Sequence, residues 1–250
     1  MSRPTANHPD TGQSADRAAE TRGRILEAAL REFSANGLAG ARTEQIAAAA
    51  GVNKALLYYY FAGKEKLYQA ALELAAARVR ESAMAAILRD ATPGERLLRA
   101  ALNHFDRILT QRDFQILMQR EMMRLRSGEE GALHVLVDRV FKPLQDMFES
   151  MVKEGIASGE LIAADWLQMV LAALGANVFY FLSAPVWQLV LGFDPLDARA
   201  LRRRRVALVE FLGQTVFLDR SRGAELAARV LADTPAPSAR ELKKFEVKSK

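Results

Sequence analysis

From Trp166 to Phe193 the chain carries no Asp, Glu, Lys or Arg. A stretch this long and apolar cannot face water all along its length, so it must cross a bilayer, fill a core or be shared with another subunit. Against the bilayer, Gln168, Asn177, Ser183 and Gln188 interrupt the run, Gly175 and Pro185 divide it, and Lys and Arg are not gathered on one flank. A helix buried on all sides explains it better, with no membrane partner. Trp166–Ser183 offers more apolar surface than one subunit of this size readily covers, which points to pairing of two copies. A second helix from about Pro195 to Leu218 brings Val206, Val209, Leu212, Val216 and Phe217 beside it, fitting a four-helix interface.

The rest of the chain agrees on fold class. Apolar residues recur with helical rather than alternating spacing, and Ala and Leu are abundant between short breaks, so the chain is expected to be all-α. Residues 1–16 lack an apolar run and read as a disordered lead-in without a signal peptide. Ile25, Leu26, Ala29, Leu30 and Phe33 form one stripe that ends at Asn36-Gly37. Short helices then follow from Thr43 to Gly51 and from Asn53 to Phe61, and a long one starts near Lys64. Breaks at Thr92-Pro93-Gly94, Ser127-Gly128, Ser158-Gly159 and Asp194-Pro195 divide the remainder into about five helices, one of them bent by Pro143. After Arg220 the periodicity fades, and residues 221–250 read as a mobile basic tail. The expected organisation is a head over 17–67 and a larger helical domain over 68–220.

Zero cysteines exclude disulfides and thiolate chemistry and suit the reducing cytoplasm. A net charge of +5 is compatible with a polyanionic partner without requiring one.

The informative segment is Thr43–Phe61. Ile46, Ala47 and Ala50 give the first helix a small, apolar packing face, Gly51 supplies the positive φ of a tight turn, and Asn53 can cap the second helix. Leu57 and Phe61, one turn apart, point that helix inward and leave Lys54, Ala55, Tyr58, Tyr59 and Tyr60 outward or sideways. A helix laid in the major groove needs a cation and small residues at its leading end and hydroxyls further along for phosphates. Thr43 combines a hydroxyl with a helix start, and Lys64 could reach a flanking phosphate.

The run Gly51–Leu67, preceded by Arg24-Ile-Leu-Glu-Ala-Ala and Phe33-Ser-Ala-Asn-Gly37, resembles the signature of the tetracycline-repressor (TetR) family of transcriptional regulators. It departs from that family's common pattern at Ala55 and Leu56, where glycine and a small polar residue are frequent. The resemblance implies DNA contacts at Thr43, Asn53, Lys54, Ala55, Tyr58, Tyr59, Tyr60 and Lys64. It also implies a homodimer that binds a palindrome-like double-stranded operator as a repressor, and a C-terminal domain that encloses a small-molecule effector. His104, Phe114, Met118, Met122, Met147, Asn177 and Phe181 are the candidate effector residues, mostly aromatic or soft and apolar, which favours a hydrophobic ligand.

Arg202–Arg205 reads superficially as a nucleic-acid patch, but four successive residues spread around a helix and suit a solvated edge with some ion pairing. An enzyme would need other features. His8, His104 and His134 lack companions at metal-ligand spacing, and no phosphate loop, dinucleotide motif or nucleophile elbow is present. No catalytic residue, metal or cofactor is expected.

Overall fold

The computed structural model describes residues 11–129 and 131–238, and among them every regular element is a helix. In chain order these are α1 (Thr11–Gly40), α2 (Thr43–Ala50), α3 (Lys54–Tyr60), α4 (Lys64–Ile87), α5 (Pro93–Thr110), α6 (Arg112–Arg126), α7 (Leu133–Leu136), a π-helical turn (Val137–Phe141), α8 (Lys142–Ala157), α9 (Trp166–Leu191), α10 (Ala198–Thr215) and α11 (Arg220–Asp233). Two compact units form. Among the described residues, one contains 11–75 together with Ile116–Leu133, and the other contains Ala76–Gln115 and 134–238.

The first unit is larger than the expected head, since the second half of α6 belongs to it. Its core is built by Ile25, Leu26, Ala29 and Phe33 of α1 with Ile46, Leu57 and Leu67, all nearly or wholly closed to water. The regular helix of α1 is broken at Gly37 (φ 69°, ψ 175°), close to its expected end at Asn36. Its start is earlier than expected: residues 11–16 are helical, while 1–10 lie outside the described residues.

In the second unit α5 is the central helix and packs against α8, α9, α10 and α11. Its face of Leu97, Leu98, Ala101, Leu102, Phe105, Ile108 and Leu109 is buried. Helix α11 corrects the expectation of a mobile tail from residue 221. Leu226, Ala227 and Val230 are buried, and the tail expectation from 239 onward falls outside the described residues. The crossing with α10 is a glycine-to-glycine contact: a Cβ on Gly213 would sit 2.6 Å from the Gly223 carbonyl oxygen, and a Cβ on Gly223 would overlap the Gly213 carbonyl. Ion pairs with one buried partner each fix the same helix. Arg99 bonds Glu95 of its own helix and Asp233 (2.9 Å), and Arg229 also reaches Glu95.

A further sequence expectation changes here. A break at Gln111 (φ −120°, ψ 48°) separates α5 from α6. Pro143 lies, as expected, inside a continuous helical run, residues 133–157, in the first turn of α8 directly after the π-turn. Proline has no N–H for the carbonyl four residues back, and Arg80 Nη1 donates to that carbonyl, Arg139 O, at 3.2 Å.

The apolar helix α9 is continuous through Gly175 and Pro185, so those residues do not divide it. It is not buried on all sides either. By length and composition it could cross a membrane, and only 28% of its most apolar stretch is buried within one chain. Leu167, Leu171, Phe179, Leu182, Val186 and Leu189 are exposed. Of the expected partners, Val206 of α10 is exposed, but Val209 and Leu212 of α10 and Val216 and Phe217 just after it are buried inside the chain. On α10 it is Phe211, 64% exposed, that accompanies Val206 at the surface.

Candidate nucleic-acid interface

Helix α2 ends on Gly51, whose left-handed backbone (φ 66°, ψ 36°) turns the chain within one residue. The N–H of Gly51 donates to Ala48 O and that of Val52 to Ala47 O, closing the last turn of α2. Asn53 then caps α3, its Oδ1 accepting the Leu56 N–H at 2.7 Å. Ile46, Ala47 and Ala50 of α2 are buried on one side, and Leu57 and Phe61 on the other. With these anchors, α3 has one inward and one outward face.

The outward face carries Lys54, Ala55, Tyr58 and Tyr59, with Tyr58 41% and Tyr59 83% exposed. Tyr60 is half-buried and meets Tyr59 edge-on, with ring centroids 5.5 Å apart. Lys54 Nζ lies 5.8 Å from the Tyr58 ring centroid and forms an exposed ion pair with Glu44 of α2. The hydrogen bond of that pair pulls the Glu44 carboxyl below its ordinary pKa and raises that of Lys54.

Two expected contacts are placed differently. Thr43 is buried, and its hydroxyl lies 3.3 Å from that of Tyr58, so it braces Tyr58 more than it faces solvent. Lys64 is half-buried and donates to Ala39 O at 3.0 Å, tying the start of α4 to the end of α1. Sequence reading passed over Arg42 and Gln45, which are exposed at the start of α2, with the Arg42 N–H held by Glu32 Oε1 at 3.1 Å. The signal for them was their position flanking Thr43.

Behind α4, Glu121 of α6 is wholly buried and accepts from the Tyr68 hydroxyl (2.7 Å), Arg124 (3.0 Å) and the Ala132 N–H (2.8 Å). A cleft of about 750 Å³ within this unit is lined by Lys64, Tyr68, Gln119, Arg120 and Arg124.

Of the expected effector residues, Met118 and Met122 fall in the first unit and the others in the second. His104 and Asn177 do meet: the Asn177 amide donates to Ala101 O (3.1 Å) and lies 3.4 Å from His104 Nδ1. Burial, then the Arg107 charge, lowers the His104 pKa to about 3 and keeps the ring neutral. The Asn177 Oδ1 is buried without a hydrogen-bond partner. Phe181 stacks 5.3 Å from Phe105. Phe114 and Met118 are buried, Met147 is half-buried, and Met122, 48% exposed, faces solvent rather than lining a closed cavity.

Helices α2 and α3, joined at Gly51 within an all-helical chain, have the geometry of a helix-turn-helix. Residues 25–71 match the family of bacterial regulatory proteins, tetR family. The HTH-type transcriptional repressor NicS of Pseudomonas putida is 48% identical over 63 residues, 25% of this chain and 30% of that protein. The HTH-type transcriptional repressor SCO4008 of Streptomyces coelicolor is 49% identical over 53 residues, 21% and 28% of the two chains. The chain thus spans less than a third of the length of these curated relatives. Among solved structures, the ketosteroid transcriptional regulator KstR2 of Mycobacterium tuberculosis aligns over 79% of this chain and 95% of its own, with a TM-score of 0.61 and 21% identity, a likeness of fold. The similarity to the tetR family of bacterial regulatory proteins is thus confined to the N-terminal segment. These relatives are regulators, not enzymes.

Proposed function

We propose that this chain is a homodimeric, cytoplasmic, sequence-specific DNA-binding repressor, released from its operator by a small hydrophobic effector. The observation that carries the DNA reading is the two-faced helix α3: Leu57 and Phe61 are buried while Tyr58 and Tyr59 stand open beside Lys54. In this reading Asn53, Lys54 and Ala55 lead α3 into the major groove, Ala55 letting the backbone approach closely. Tyr58, Tyr59 and Tyr60 contact phosphates and sugars, Thr43 holds Tyr58 in place, and Lys64 and Arg42 flank the groove.

Pairing of two copies is supported by the exposed stripe Leu167, Leu171, Phe179, Leu182 and Val186 on α9, joined by Val206 and Phe211 of α10. A face of this size is rarely left to water. Two paired heads read a twofold-symmetric site. For the effector, the unpaired Asn177 Oδ1 beside neutral His104 supports a ligand that donates a hydrogen bond there and lays apolar surface on Phe181. Phe114 and Met147, of the same unit, would complete that lining by rearrangement. The repressor sense follows the names of NicS and SCO4008.

Selection from a randomised duplex library at fixed salt tests the proposal. The expected outcome is enrichment of one sequence with twofold symmetry, absent for a protein carrying Lys54→Ala and Tyr59→Ala. Equal, sequence-independent retention by both proteins would overturn it.

A further inference from the structure

Within the second unit, the last turns of α9, the loop that follows and the first turns of α10 enclose a cleft of about 360 Å³. Its floor is aromatic and aliphatic, from Tyr180, Trp187, Leu191 and Phe193, and one wall carries Arg203 and Arg204. The Arg204 guanidinium lies over the Tyr180 ring at 5.3 Å and that of Arg203 over Phe193 at 5.8 Å. Neither has a carboxylate partner among the described residues. Asp194 and Asp197 are close in sequence, but their Oδ1 atoms accept backbone N–H groups of Leu196, Arg199 and Ala200. The Arg204 Nε is buried with no hydrogen bond at all.

Arg205, next in sequence, shows what this chain does with an arginine that serves structure alone. It is buried and grips both oxygens of Asp106 at 2.9 Å, with a further bond to Thr234 O at 3.0 Å. The run of four arginines matches the expected solvated edge with some ion pairing at Arg202, Arg203 and Arg205, and departs from it at half-buried Arg204. It divides into an exposed Arg202, a structural Arg205, and two cations aimed at an apolar cleft without an anion.

A guanidinium fork over an aromatic floor is complementary to a planar carboxylate with an apolar body. The volume lies in the range of about 300–1,000 Å³ typical of small-molecule sites, and Trp187 at 40% and Phe193 at 39% exposure leave the cleft open to solvent. On α9 the cleft residues stand apart from the proposed pairing stripe: at about 100° per residue, Leu171, Phe179, Leu182 and Val186 centre roughly 140° around the helix from Tyr180, Trp187 and Leu191, while on α10 Phe211 of the pairing face borders the Arg204 side of the cleft.

We propose that this cleft binds a small organic monocarboxylate, its carboxylate on Arg203 and Arg204 and its apolar body against Trp187 and Leu191, at a site separate from His104 and Asn177. The test uses the full chain carrying Trp166→Phe, which leaves Trp187 as the sole tryptophan. Its fluorescence is followed during titration with octanoate and, separately, with octan-1-ol, at concentrations below micelle formation. The expected result is a saturable change with octanoate, at least tenfold weaker with octanol and at least tenfold weaker in Arg204→Met. Exposed Arg203→Met weakens it in the same direction, and the parent comparison of acid with alcohol needs no further variant to fold. Equal response to acid and alcohol, no saturable response to octanoate, or unchanged affinity in a folded Arg204→Met would overturn the proposal. None of these readings depends on DNA binding.

Discussion

The Tyr68 hydroxyl donates to Glu121 Oε1 across 2.7 Å, and both side chains are closed to water. The bond joins α4, which begins just after the reading head, to α6, which lies far along the chain, so the head's compact unit depends on a carboxylate that must stay satisfied. Tyr68→Phe removes one of its donors and should destabilise the protein by about 1–3 kcal/mol. Urea unfolding would show this as a lower midpoint, and an unchanged midpoint would mean that Arg124 and Ala132 suffice.

Burial, and then the bond to Glu121, raises the Tyr68 pKa well above that of an exposed tyrosine. The folded state holds this proton more tightly than the unfolded chain. The contribution is intact below about pH 10, the unfolded value, and is lost as pH climbs beyond it. Part of the alkaline loss of stability should vanish in Tyr68→Phe.

His104 has the opposite pH signature. Its pKa is lowered to about 3 in the folded chain, against 6.5 for a free side chain. The neutral ring's contribution is therefore complete above pH 6.5 and is lost as pH falls towards about 3. Unfolding free energy should fall by up to about 1.4 kcal/mol per pH unit in that window. The slope should flatten in His104→Gln, measured by urea titration at several pH values.

Glu44 pairs with Lys54 at the tip of the proposed DNA face. A carboxylate facing phosphates repels them, and the pair must open for Lys54 to touch DNA. Glu44→Gln should raise affinity for both specific and nonspecific duplexes and steepen the dependence on salt. Fluorescence anisotropy across a salt series checks this, and weaker binding would assign the pair to holding α3 in place.

The crossing of α10 and α11 leaves no room for a side chain at Gly223. Gly223→Ala should force the helices apart and lower stability by about 1–3 kcal/mol. A thermal melt indistinguishable from that of the parent would show that the crossing can relax.

What was legible in the sequence was local. Gly51, Asn53, Leu57 and Phe61 act through neighbours a few residues away, so their spacing alone placed the turn, the cap and the inward face. What was not legible depends on distant partners. Thr43 is buried because Tyr58, fifteen residues on, meets its hydroxyl. Helix α11 looked like a tail because its buried face is short and its hold on α5 comes through Arg99 and Asp233, far apart in the chain. The arginine run could not be divided without Asp106 and Tyr180 in place. The uncharged stretch of α9 is open along one face within the chain, and which residues of α10 stand exposed with it was hidden by α11, which packs on α10 and takes part of its apolar surface into the core.

The most direct test of the central claim is the mass of the protein in solution and on a selected duplex. Sedimentation at micromolar concentration should give twice the 27.7 kDa of one chain. Two chains should bind a duplex carrying both half-sites, and Leu171→Glu with Leu182→Glu should yield monomers that bind it at least tenfold more weakly. A monomer that occupies one half-site as tightly as the whole operator would contradict the account.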